Sequence, residues 1–225
     1  MESAGEKGWM VMSDGTGAAL TALDCAQFTE RLASPAPTPG GGGAAAMTGA
    51  LAAALGAMAA RLTLGKKKYL PYEEDHRRII AETEALRARL LGLIEADAAA
   101  FEPLSRVYSM DKASPGYAEK LRDATLEACG APLEMMEAVW SLIALLEELL
   151  PKCSVLLRSD VGCAALTAAC ALESAAMNVF VNTRALPEDP ELRAVARRAE
   201  ELLSDGLPRA RAVSGEVMAY LKGKG

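Results

Sequence analysis

Apolar residues recur every three or four positions through most of this chain, and the pattern breaks where Pro and Gly gather. That period is the signature of amphipathic helices. Leu20, Leu23, Phe28 and Leu32 keep helical spacing, and Thr21 can cap their helix with Asp24 three residues on. Pro35, Pro37 and Pro39 stop it and lead into Gly40-Gly41-Gly42-Gly43. A second helix runs from about Gly43 to Lys68, with Met47, Leu51, Leu55, Met58 and Leu62 on one face. Gly49 and Gly56, seven apart, make a smooth stripe that a neighbouring helix can approach closely. Pro71 suits the first turn of a third helix reaching about Ser105. Ser114-Pro115 opens a fourth, to about Cys129, and Pro132 a fifth, closed by Pro151. Ser159-Asp160 starts a sixth, ending near Arg184. The stretches from Pro190 to Leu203 and from Pro208 to Leu221 supply one or two more. Residues 1–18 show no periodicity and read as a disordered extension. The expectation is one all-α domain over 19–225, a bundle of about seven to eight helices.

Composition supports that class. Of the 225 residues 51% are hydrophobic but only 4% aromatic, and Ala fills about a fifth of the positions. A sheet protein would show Val, Ile, Thr and aromatics instead. Two segments, 44–60 and 161–181, are nearly as apolar as membrane spans. Ala contributes little transfer energy, however, and Glu173, Ser174 and Asn178 would be costly in lipid. Both read as helices covered on every side, with homo-oligomerisation as one source of cover and no membrane partner.

The charge balance is 24 basic to 30 acidic residues, net −6, which argues against nucleic acid as a partner. Five cysteines at unpaired spacings, with no signal peptide, read as reduced thiols in a cytoplasmic protein. A single histidine, His76, lies in the run Glu73 to Arg78 and reads as part of a solvated first helical turn. One imidazole excludes the His-rich metal sites. Any catalysis therefore falls to carboxylates, lysines and amides.

Four features could carry it. Asp97 stands in the apolar stripe of the third helix, with Leu86, Leu90, Leu93, Ile94, Phe101 and Leu104 at helical offsets. Desolvation there would raise its pKa, as in a tuned general acid or base; pairing with an Arg, or capping a neighbouring helix, accounts for the position equally well. Asp160, Thr167, Ser174, Asn178 and Asn182 form a polar strip on the sixth helix. Such a strip can read a heterocycle edge or fix helix register by interhelical bonds. Glu173 faces inward on the same pattern, salt-bridged to another helix, whereas Glu95 points away from Asp97 toward solvent. The Gly40–Gly43 turn offers backbone N–H groups at a helix start, either to an anion or simply as a flexible turn. Lys66, Lys67 and Lys68 end the second helix, where lysines also serve as ordinary dipole partners.

In this order the segments resemble the cyclodeaminase/cyclohydrolase family of folate enzymes, over about residues 24–221. The likeness is carried by Pro39-Gly40-Gly41-Gly42 entering an Ala-rich helix, Gly65-Lys66-Lys67-Lys68-Tyr69, Glu95-Ala96-Asp97-Ala98-Ala99-Ala100-Phe101, Ser159-Asp160 and Asn178-Val179-Phe180-Val181-Asn182. Position 43 is Gly where Ser is usual, Glu95 replaces the first acid of an Asp-Ala-Asp pattern, and the lysine triplet replaces an arginine pair. The resemblance implies an all-α homodimer that binds a tetrahydrofolate substrate in a cleft. It implies Asp97 as catalytic aspartate with Lys66 assisting. Pro39, Gly40, Gly41, Gly42, Lys67, Asp160, Asn178 and Asn182 would lie around the folate. The implied reactions are formiminotetrahydrofolate cyclodeamination and methenyltetrahydrofolate hydrolysis, which share a tetrahedral carbon between two nitrogens and, on this resemblance, need proton transfers with no metal and no cofactor.

Overall fold

The computed structural model describes residues 19–223, so the extension expected over 1–18 lies outside the described residues. Six α-helices account for nearly all of it: α1 Cys25–Ala33, α2 Gly41–Thr63, α3 Glu73–Tyr108, α4 Tyr117–Lys152, α5 Arg158–Thr183 and α6 Pro190–Leu221. Short 3-10 turns at Leu20–Ala22, Lys67–Tyr72 and Val155–Leu157 join them, and the described residues contain no strand.

The count falls below seven because two prolines sit inside helices. Pro132 lies within α4 and Pro208 within α6. A proline removes one N–H and orphans the carbonyl four residues earlier. At Pro132 that carbonyl belongs to Ala128, and the Asn182 amide donates to it at 3.1 Å. The helix therefore continues through the proline. The start of α1 also differs from expectation. Asp24, not Thr21, is the cap: its carboxylate accepts from the Gln27 N–H at 2.8 Å, and the Gln27 side chain accepts from the Asp24 N–H. The second helix ends at Thr63 rather than Lys68.

Packing follows residue size. α2 lies between α3 and α5, and α4 crosses behind, packing on α3, α5 and α6. Ala45, Ala46, Ala50, Ala52, Ala53, Ala57, Ala59 and Ala60 bury the inner face of α2. At Gly49 an added Cβ would press on Val139 and Leu90, and at Gly56 on Leu146; the smooth stripe is thus where α3 and α4 approach. Of the larger residues of α2, Leu51 and Leu62 turn outward and are about half exposed, whereas Met47 and Leu55 are partly buried against the core. The same inversion marks α5. Its alanines are buried, while Cys163, Leu166, Cys170, Met177 and Val181 are exposed at helical spacing.

By length and composition alone α2, α4 and the Val155–Thr183 segment could each cross a membrane. In α4, Met135, Met136, Val139, Leu142, Ile143, Leu146 and Leu149 are fully buried. Arg209 of α6 clamps α4 by pairing with Glu147 and stacking over Trp140. His76 departs from the solvated reading: it is fully buried, and its Nε2 donates to the Lys152 carbonyl at 3.0 Å.

Candidate active-site cleft

The first turn of α2, the middle of α3, the Ala128–Pro132 segment of α4 and the last turns of α5 surround one cleft of 230 Å³. Pro37, Thr38, Gly40, Gly41, Gly42, Asp97, Phe101, Asn178, Val181 and Asn182 are among its walls.

Asp97 reaches the cleft because α3 passes across the start of α2. The contact is so close that a Cβ on Gly42 would overlap the carboxylate. This explains a glycine at a helical position where it costs about 1 kcal/mol against Ala. The turn before it has no side-chain cap, since the capping position is Gly40. Asp97 takes over part of that task from another helix, with the Gly43 N–H facing its carboxylate. Two effects then oppose each other. Burial raises the carboxyl pKa, and the Gly43 N–H lowers it; burial is the larger, so Asp97 sits above the usual aspartate range. No Lys or Arg pairs with Asp97 in the described structure. The helix-capping alternative is therefore realised together with the raised pKa, and the arginine-paired one is not.

Asn178 and Asn182 come from the end of the polar strip. Asn178 lays its amide against Gly41 in the first turn of α2 and donates to the Ser174 carbonyl at 2.8 Å. Asn182 ties the cleft wall to α4 through Ala128. The remainder of the strip runs away from the cleft: Thr167 bonds back to the Cys163 carbonyl within its own helix. Glu173 is salt-bridged to Arg211 of α6 as expected, but it lies half exposed at the surface. Glu95 is not free in solvent; it accepts from the N–H of Thr21 at 2.9 Å and pins the N-terminal 3-10 turn to α3.

Of the expected site residues, Pro39 is buried against Gly43 and does not line the cleft, and three others are elsewhere in the protomer. Lys66 and Lys67 follow the far end of α2, and Asp160 lies in the first turn of α5. Because α2 and α5 run antiparallel, both belong to the pole opposite Asp97. Lys66 donates there to the Ser154 hydroxyl at 3.2 Å. A 23-residue helix spans about 35 Å, far beyond the reach of a lysine. Conversely, Pro37, Thr38, Phe101, Ala128, Pro132 and Val181 line the cleft without having been singled out as binding residues. Phe101 carried a signal as a member of the Asp97 stripe, and Val181 as part of the Asn178–Asn182 segment. Among the described residues no three His, Cys, Asp or Glu side chains are grouped to hold a metal.

A desolvated carboxylate, two amides and a helix N-terminus surround one open cleft, an arrangement chemically able to transfer a proton. The formiminotransferase-cyclodeaminase family model matches residues 24–201, and the chain belongs to that family. It is 37% identical over 201 residues to methenyltetrahydrofolate cyclohydrolase of Methylorubrum extorquens, covering 88% of this chain and 95% of that one. It is 30% identical to formimidoyltransferase-cyclodeaminase of Sus scrofa, over 81% of this chain but only 35% of that longer protein. The crystal structure of formiminotetrahydrofolate cyclodeaminase from Thermotoga maritima superimposes with a TM-score of 0.78. Its identity is 27%, over 89% of this chain and all of that one.

Proposed function

We propose that this chain is a folate one-carbon enzyme whose reaction is the hydrolysis of 5,10-methenyltetrahydrofolate to 10-formyltetrahydrofolate. The desolvated Asp97 carboxylate at the α2 N-terminus carries this reading. The methenyl carbon bridges two nitrogens as an amidinium cation, so a site with a carboxylate and no opposing cation suits it. Asp97 accepts a proton from water as the water oxygen bonds to that carbon. The tetrahedral carbon then releases N5, whose returning electron pair takes the proton from Asp97. The remaining hydroxyl proton leaves to solvent as the formyl carbonyl forms on N10. Side chains and water suffice for each step, and a positioned acid–base contributes about 10²–10⁴-fold.

The likeness to a cyclohydrolase over almost its whole length favours water addition. Ammonia release from N5-formiminotetrahydrofolate is the second reading, favoured by the solved cyclodeaminase that shares the fold. The methenyl chromophore separates them. The first reading predicts loss of its absorbance from methenyltetrahydrofolate, the second its appearance from formiminotetrahydrofolate. Turnover of neither substrate overturns both. We further propose a homodimer formed through the outer faces of α2 and α5, where Leu51, Leu62, Leu166, Met177 and Val181 lie exposed.

A further inference from the structure

Four prolines stand inside the α-helices: Pro103 in α3, Pro132 and Pro151 in α4, and Pro208 in α6. Each leaves the carbonyl four residues earlier without its helical donor. Three of those carbonyls belong to Ala99, Glu147 and Ser204, residues exposed in whole or in part, where water can serve. No side chain donates to them among the described residues. The fourth differs in every respect. Pro132 and Ala128 are both buried, and the Ala128 carbonyl is answered from another helix by the Asn182 amide at 3.1 Å. Pro132, Ala128 and Asn182 all line the Asp97 cleft. The proline whose freed carbonyl must be satisfied by protein thus stands in the wall of the site, and a residue of the site satisfies it.

A carbonyl oxygen accepts and cannot donate, so Asn182 turns its amide nitrogen to Ala128. Its amide oxygen accepts no hydrogen bond from any described residue. The side chain is therefore held at one end and free at the other. Rotating it away would strand a buried carbonyl, and that cost locks the amide in place. With an N–H at position 132 the carbonyl would be satisfied within α4, and the lock on Asn182 would be released.

We propose that Pro132 is a positioning residue for the substrate: by leaving the Ala128 carbonyl open it fixes the Asn182 amide, whose oxygen accepts an N–H of the pteridine ring while the one-carbon bridge lies at Asp97. The inference rests on the folate reading above. A reduced pteridine carries amino and ring N–H donors, the chemistry that a free amide oxygen accepts.

This role moves activity and stability apart, which a packing role for the proline would not. Pro132→Ala restores the helical N–H, so its urea midpoint stays at or above that of wild type. Its kcat/KM for methenyltetrahydrofolate falls about three- to tenfold, mostly through KM. Asn182→Ala lowers kcat/KM at least as far. In the double variant the two losses do not multiply, because Pro132 acts through Asn182. Three results overturn the proposal: wild-type kcat/KM in Pro132→Ala, a fall in its midpoint together with its kcat/KM, and losses that multiply in the double variant. A wild type inert toward folates defeats the functional reading instead, and the urea midpoints then decide the anchor. Asn182→Ala strands the carbonyl in the chain that keeps Pro132, and it should lower the midpoint there at least twice as far as it does alongside Pro132→Ala. Equal shifts in the two backgrounds overturn the anchor as well.

Discussion

The two ends of the antiparallel α2–α5 pair use polar groups in opposite ways. At the far end most of them are spent on one another, although His76 Nδ1 and Arg158 Nε are buried there without a partner. The Thr63 hydroxyl accepts from the Ser154 N–H at 2.9 Å, the Tyr69 hydroxyl from the Val155 N–H at 3.2 Å, and the Lys152 carbonyl from His76. Thr63, His76 and Ser154 are all buried, so these bonds close the junction between α2, α3 and the connection from α4 to α5. At the near end the polar groups are left open. Gly40 gives α2 no side-chain cap, Asp97 has no cationic partner, and the Asn178 amide lies against the helix start. Satisfied buried polar groups hold a fold together, whereas polar groups assembled around a cleft and left short of partners await a ligand.

That contrast can be broken at either end. The largest effect is expected at Gly42. Gly42→Ala puts a methyl group where the Asp97 carboxylate lies, and displacing the carboxylate by about 1 Å costs on the order of 10²-fold in turnover. Circular dichroism should show the helices retained, and steady-state kinetics should show kcat falling more than KM rises. Wild-type kcat in Gly42→Ala would sever the link between that contact and catalysis. The smaller effect belongs to the far end and should touch stability alone. His76→Leu leaves the Lys152 carbonyl without its donor, costing about 1–3 kcal/mol, which a shift in urea midpoint would report. Its kcat/KM should match wild type wherever both are folded; a catalytic loss would mean that the two ends are not separate.

The same contrast explains what could be read from the sequence. Asp97 was legible because a carboxylate interrupting an apolar stripe departs from a local rule, and the stripe reports which face is buried. The all-helical class was legible for the same reason, as was the close approach at Gly49 and Gly56. Helix number was not, because the fate of Pro132 depends on Asn182, fifty residues away, reaching its orphaned carbonyl. His76 looked solvated because its neighbours are charged, yet on a helix those neighbours point elsewhere and His76 faces inward. Lys66, Lys67 and Asp160 stood out as residues, but their distance from Asp97 depends on helix direction, which periodicity does not encode. Nor did the stripe Met47 to Leu62 announce that it faces outward. In an Ala-rich helix the small residues pack inside, and the large ones remain for a partner.

Asp97 as a desolvated proton carrier is the central claim, and its pH dependence is opposite in stability and in rate. Its folded pKa lies above the unfolded value, so the folded state holds the proton more tightly. Ionising it costs stability as pH rises from the unfolded value through the folded one. The base needed for water attack appears over that same rise. The most direct measurement is the pH profile of kcat/KM for methenyl absorbance loss, corrected for uncatalysed hydrolysis, in wild type and Asp97→Asn. The account predicts a wild-type limb rising with pH through a pKa above the ordinary aspartate range. It predicts no such limb in Asp97→Asn, with turnover down about 10²–10⁴-fold and stability at neutral pH no lower than wild type. A profile that keeps its rising limb after Asp97→Asn, at wild-type rate, would contradict it.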